Sequence, residues 1–151
     1  MRIIISYDHA GFEPKKALIE YLKDKGHEVF DYGPKKYDKV DDYPDFIVPA
    51  MKKLQKESDS LGIVLCKNGV GVSMLANKFK GVRASLSFNL GHAKSARADD
   101  DANVLALPTN FLLDEEICEI SETFINTHFS GLERHKRRLK KVALEEEENF
   151  K

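Results

Sequence analysis

Short runs of apolar, β-branched residues alternate along this chain with longer stretches whose apolar positions recur every three or four residues. RIIISY at residues 2–7 has no polar alternation, which predicts a strand buried on both faces. A helix follows, with Pro14 in its first turn and Ala17, Leu18, Tyr21 and Leu22 on one side. Gly26 stops it, and EVFDY at 28–32 reads as a second strand. Residues 35–42 are charged and lack an apolar period, so they form a loop. Pro44 then opens a helix with Ile47, Val48, Met51 and Leu54 apolar. LGIVLC at 61–66 is a third strand and runs directly into a glycine-bearing turn at 67–71. Beyond it the pattern predicts a helix over 73–79, a strand over 82–86, a short helix over 91–98 and a strand over 103–107. A helix over 114–127 should turn Ile117, Ile120, Phe124 and Ile125 inward. The last helix, about 133–148, is charged, its basic half preceding its acidic half.

Five strands separated by helices imply right-handed crossovers and one parallel sheet covered on both faces. The expected fold is α/β: a single Rossmann-like, three-layer α/β/α domain over residues 1–151. The final helix has little sheet left to cover and is expected to cross to a partner subunit. In such sheets ligands bind beyond the carboxyl ends of the strands. That rule selects Asp8 and His9, residues 66–71, and the segment 99–103.

Composition narrows the function classes. The chain has 151 residues, 42% hydrophobic and 32% charged, a globular balance. Its 24 Lys+Arg face 25 Asp+Glu, so no global field draws it to nucleic acid or anionic lipid. No apolar run approaches the roughly 20 residues that span a bilayer. The first apolar stretch ends at Asp8, which is too short for a signal peptide. Cys66 and Cys118 cannot make a disulfide framework and suit a reducing, cytoplasmic compartment.

Few residues are placed to do chemistry. Asp8 and His9 follow the first strand and could position a sugar hydroxyl and a phosphate, or serve only as a helix cap and a surface imidazole. Cys66 closes the third strand just before Gly69-Val70-Gly71. Backbone N–H groups in such a turn make an anion-binding nest that could hold an enediolate oxygen, beside a thiolate acting as base. The alternative is a small buried apolar cysteine, and Cys118, inside a helix, is expected only to pack. Arg134 and Arg138 are four apart, hence on one helix face, where two guanidinium forks suit a phosphate dianion. Taken alone they fit a solvated face balanced by residues 145–148 better. Asp99, Asp100 and Asp101 read as a helix end or loop, and their mutual repulsion would raise a pKa if they crowded a cleft. No spacing points to a metal site, a P-loop or a dinucleotide fingerprint.

Together, YDHAGF at 7–12, DDYPDF at 41–46, CKNGVGVSMLANKFKGVRA at 66–84, DANVLAL at 101–107 and ERHKRR at 133–138 resemble the ribose-5-phosphate isomerase B family, which includes the galactose-6-phosphate isomerase subunits. The match runs in order to about residue 140. The resemblance implies a homodimer, with assembly to a dimer of dimers left open, whose two sites each use both subunits. It implies cofactor- and metal-free isomerisation of ribose 5-phosphate and ribulose 5-phosphate through a cis-enediolate. On matching positions Cys66 would be the base that carries the proton between C2 and C1. Asp8, His9 and Tyr43 would contact the sugar, and the turn Lys67, Asn68, Gly69, Val70 and Gly71 would hold the enediolate. His9, Arg134 and Arg138 would bind the phosphate. Val72 stands where one branch carries a Glu, so the chain is of the Cys type.

The chain also departs from the family. Its turn reads Cys66-Lys67-Asn68-Gly69 instead of Cys-Gly-Thr-Gly. Asp99 replaces the ring-opening His, Asp100 replaces the Asn after it, and Asn110 replaces a phosphate-binding Arg. Asp99 could take over proton transfer in ring opening, and Lys67 could offset the charge of Asp99 and Asp100. Alternatively the substrate differs: a hexose 6-phosphate or another phosphosugar turned over by the same chemistry. A non-catalytic phosphosugar-binding protein is the third reading, against which the retained Cys66 weighs.

Overall fold

The computed structural model describes residues 1–57 and 59–150. Strands β1 (Arg2–Tyr7), β2 (Glu28–Asp31), β3 (Ser60–Cys66), β4 (Ala84–Leu86) and β5 (Val104–Pro108) form one parallel sheet in the order β2-β1-β3-β5-β4. The helices are α1 (Pro14–Asp24), α2 (Pro44–Leu54), α3 (Val70–Ala76), α4 (Leu90–Asp100), α5 (Asp114–Asn126) and α6 (Glu133–Asn149). The expected α/β architecture is therefore present, with helices on both faces of the sheet.

Successive strand side chains point to opposite faces, so each central strand feeds two cores. Ile3, Ile5, Ile63, Leu65, Leu105 and Leu107 pack against Leu18 and Leu22 of α1, Ala93 of α4 and Phe124 of α5. Ile4, Val64, Val104 and Ala106 turn the other way, onto Ile47 and Met51 of α2 and Val72 and Ala76 of α3. Fully burying each such Leu, Ile, Val or Phe contributes about 1.5–3 kcal/mol of transfer free energy.

Several boundaries differ from the sequence pattern by a few residues, and two of them have a clear backbone cause. The helix expected over 73–79 begins earlier, at Val70, because Gly69 takes a left-handed φ of 72° and turns the chain directly off β3. The helix expected to end at residue 98 continues through Asp100. It stops at Asp101, whose left-handed φ of 46° is held by Arg83 Nη2 on Oδ2 at 2.9 Å and Arg97 Nη1 on Oδ1 at 2.8 Å. Asp99 and Asp100 thus sit in the last turn of α4, where the helix dipole disfavours carboxylates.

The C-terminal helix α6 returns along the β4 edge. Ser130 N–H donates to Ala98 O at 2.9 Å, and Glu146 Oε1 accepts from Gly81 N–H at 2.9 Å. His135 is its buried residue, while Val142 and Leu144 stay exposed. Between α6 and β4 runs an open groove of about 830 Å³ lined by Val82, Ala84, Leu139 and Val142 among others. None of the helices among the described residues is long and apolar enough to cross a membrane.

Candidate active site

The chain leaves β1 outward to β2 and then crosses back to β3 on the other side of β1. Connections diverge at that point, and a crevice opens beyond the carboxyl ends of β1 and β3. Register places Tyr7 beside Leu65, and Cys66 beside Pro108 of β5. Asp8 and Cys66 therefore emerge on the same rim of the sheet.

On the β1 side, Asp8 caps a short 3₁₀ turn, His9–Gly11, by accepting from Ala10 N–H at 2.9 Å. Burial pushes the Asp8 carboxyl above its ordinary range, and the negative charge of Asp41 adds to this. The Ala10 N–H and His9 pull the other way. Asp41, from the loop before α2, accepts the His9 backbone N–H at 3.0 Å and meets His9 Nδ1 at 2.7 Å. One ligand atom each from Asp8, His9 and Asp41 lies within 4.8 Å of the others, a group that could also hold a cation. No local spacing announces this cluster, because Asp41 is 32 residues from His9.

On the β3 side, Cys66 is buried in the α2/α3 core at the strand's end, and its Sγ lies 3.8 Å from Asn68 Oδ1. The same Asn68 oxygen accepts Val70 N–H at 3.0 Å and closes the turn. Gly71 follows at the start of α3, where backbone N–H groups lack a carbonyl one turn back. A Cβ on Gly71 would lie 2.9 Å from the Tyr43 ring, so Tyr43 packs directly on the glycine turn. Thr109 N–H bonds Cys66 O and Asn110 N–H bonds Lys67 O, each at 3.0 Å, which adds the loop after β5 to this rim. Asp8, His9, Tyr43, Cys66, residues 67–71 and Asn110 therefore share one edge of the sheet. Cys118 packs in the α5 core, and burial with Asp114, Glu115 and Glu119 pushes its thiol up to about 11.

Residues 99–103 do not join them, contrary to the expectation from the carboxyl-end rule. They precede β5, and Asn103 O accepts Gly62 N–H near the start of β3. Six residue steps separate Ser60 from Cys66, or about 20 Å at about 3.3 Å per residue. Asp99 and Asp100 belong to the amino edge, so Lys67 cannot offset them within one chain. Asp99 Oδ1 lies instead 3.7 Å from His135 Nδ1, which also meets Ser130 Oγ at 2.7 Å. Arg134 Nε donates to His135 Nε2 at 3.1 Å, and Arg134 and Arg138 are exposed on α6. The structure thus separates two clusters: a rim with Cys66 and the glycine turn, and a carboxylate–imidazole–guanidinium group at the other edge of the sheet. Sequence reasoning placed His135 in the basic cluster of the last helix but missed its pairing with Asp99, and it missed Asp41. For both the signal is a tertiary contact.

Comparison with known proteins finds relatives over nearly the whole chain. The profile described as Ribose/Galactose Isomerase matches residues 3–142. The chain is 37% identical over 143 residues to the ribose-5-phosphate isomerase B of Mycobacterium tuberculosis, covering 95% of this chain and 88% of that protein. Its fold superposes on the crystal structure of ribose-5-phosphate isomerase B from Mycoplasma genitalium with bound ribulose-5-phosphate at a TM-score of 0.93. The two are 44% identical, over 98% of this chain and 97% of that one. The corresponding Thermotoga maritima structure gives 0.88 at 38% identity, covering 95% of this chain and 97% of that one. With the strand-end cysteine, the glycine turn and the basic last helix all in their expected order, the chain belongs to the ribose/galactose isomerase family.

Proposed function

We propose that this chain is a cytoplasmic homodimeric isomerase interconverting ribose 5-phosphate and ribulose 5-phosphate. The observation that carries it is Cys66 at the divergence of β1 and β3, directly before an anion-binding turn. The Cys66 thiolate removes the proton from C2 of the open-chain aldose. Electrons move to the carbonyl oxygen, and the cis-enediolate's charge falls to N–H groups of residues 68–71. A proton passes from O2 to O1, the thiol returns its own proton to C1, and the C2 carbonyl of the ketose forms. Asp8 and Tyr43 hold the sugar, and His9 approaches the phosphate.

The distance between the two clusters supports the dimer. One chain cannot bring Arg134 and Arg138 to its own Cys66 rim, so a complete site pairs that rim with Arg134, Arg138, Asp99 and Asp100 of the partner subunit. Those arginines take the phosphate, and Asp99 of the partner subunit handles the proton of ring opening. The exposed Val142 and Leu144 of α6 and the groove along β4 offer apolar surface for the pairing. The two added carboxylates favour a second reading, the same chemistry on a phosphosugar with more hydroxyls to bind, such as a hexose 6-phosphate.

NMR of the protein in D₂O with ribose 5-phosphate tests this directly. Exchange of the C2 proton together with ribulose 5-phosphate formation, at roughly 1–10³ s⁻¹, is expected. Turnover of a hexose 6-phosphate alone would replace the substrate. Phosphosugar binding without any exchange would make the chain a binding protein.

A further inference from the structure

We propose that Asp41 is a positioning residue for His9: it holds the imidazole with its proton on Nδ1 and leaves Nε2 as the atom offered to the phosphosugar. This rests on the reading of the rim as a phosphosugar site. The Asp41 carboxylate spans 32 residues to meet both the backbone N–H and the ring Nδ1 of His9 through the same oxygen. An ionised carboxylate can only accept, so the ring nitrogen facing it must be the donor. A free imidazole in water favours the proton on Nε2, and the Asp41 contact reverses that preference.

Burial makes the contact effective. The Asp41 side chain is only 7% exposed, against 27% for His9, so water screens their interaction weakly. Its second oxygen, Oδ2, is buried without a hydrogen-bond partner among the described residues. Such an orphaned acceptor lowers stability, and a residue needed only to pack would be better replaced by an apolar one. The other side of the turn is fixed as well, by Asp8 on Ala10 N–H. His9 is therefore fixed at backbone and ring, and Nε2 has no partner among the described residues. Nε2 can accept a sugar hydroxyl when neutral and donate to a phosphate oxygen when protonated. Cys66 belongs to a different strand and turn, so Asp41 should govern binding more than proton transfer.

The test is ¹⁵N NMR of the ¹⁵N-histidine-labelled full chain, with the His9 signals identified by their loss in His9→Gln, beside kinetics and ribose 5-phosphate affinity from thermal shift. In the wild type the neutral His9 ring should carry its proton on Nδ1. Asp41→Ala should move it to Nε2 and raise KM and Kd about 10- to 100-fold, the range found when a carboxylate orienting a metal-ligating histidine is removed, with kcat little changed. Asp41→Asn, whose amide oxygen can accept the same two bonds, should keep the Nδ1–H form and most of the affinity. A wild-type ring protonated on Nε2 overturns the proposal, and so does Asp41→Ala with unchanged affinity or with kcat alone reduced. If Asp41→Ala does not fold, the wild-type spectrum and Asp41→Asn decide. If no phosphosugar is turned over, the isomerase reading fails, while the tautomer and Kd still judge Asp41.

Discussion

Replacing Gly69 with Ala should damage both the fold and the site, by two separable effects. Gly69 sits at φ 72°, a left-handed conformation that costs an L-residue about 1–2 kcal/mol. The added Cβ would also lie 2.4 Å from Leu86 Cδ1, 3.2 Å from Pro108 N and 3.3 Å from Leu107 C. Leu86 can rotate away, but the other two atoms are backbone of β5, a strand fixed by pairing with both β3 and β4. Overpacking of this kind adds about 1–3 kcal/mol, for a total of about 2–5 kcal/mol. At about 2–4 °C per kcal/mol for a chain of this size, Tm should fall by about 4–20 °C. Gly26→Ala supplies the control, because Gly26 has φ 83° with nothing within 4 Å of its would-be Cβ. It carries the conformational strain without the clash and lies at the end of α1, away from the rim. Calorimetry of the two variants reads the difference as the packing contribution, and the isomerase assay should show a loss of kcat for Gly69→Ala alone. Equal Tm losses, or full kcat in Gly69→Ala, would refute the claim that close backbone approach at this turn shapes the oxyanion nest.

Three further outcomes follow from the same geometry. Cys66→Ala should reduce kcat by about 10²–10⁴-fold while phosphosugar affinity is retained, and unchanged turnover would remove Cys66 as the base. Arg134→Ala should raise KM far more than it lowers kcat; equal protection of variant and wild type by inorganic phosphate against thermal unfolding would show that Arg134 is no ligand. Asp8 has a folded-state pKa raised by burial, so the native state holds its proton more tightly than the unfolded chain. Its effect is then a loss of stability as pH rises from about 4, the unfolded value, through the folded pKa. Asp8→Asn keeps an oxygen to cap Ala10 N–H and removes that loss. Its Tm should exceed the wild type's at pH 7 by more than at pH 4, and a parallel pair of Tm–pH curves would contradict the burial argument.

The sheet was legible in the sequence because its strands are local and strongly marked. RIIISY and LGIVLC are continuous apolar runs, and Pro14, Gly26 and Pro44 punctuate the helices between them. Recognition of Cys66, the glycine turn and the last helix's arginines also needed only their order along the chain. The α3 and α4 boundaries were less legible. They depend on left-handed residues, one fixed by a close approach of β5 and the other by guanidinium groups from two different segments.

The amino-acid sequence by itself determined the α/β class, the alternation that divides β1 and β3 between two cores, and the placement of Cys66 at a strand's end. Those features follow from side-chain periodicity and backbone preference, which act over a few residues. Only the tertiary structure decided that Asp41 fastens His9, that Tyr43 rests on Gly71, and that Asp99 faces His135 at the opposite edge of the sheet from the cysteine of the same chain. Strand direction is the reason: residues that follow a parallel strand reach one edge of the sheet, and residues that precede one are left at the other.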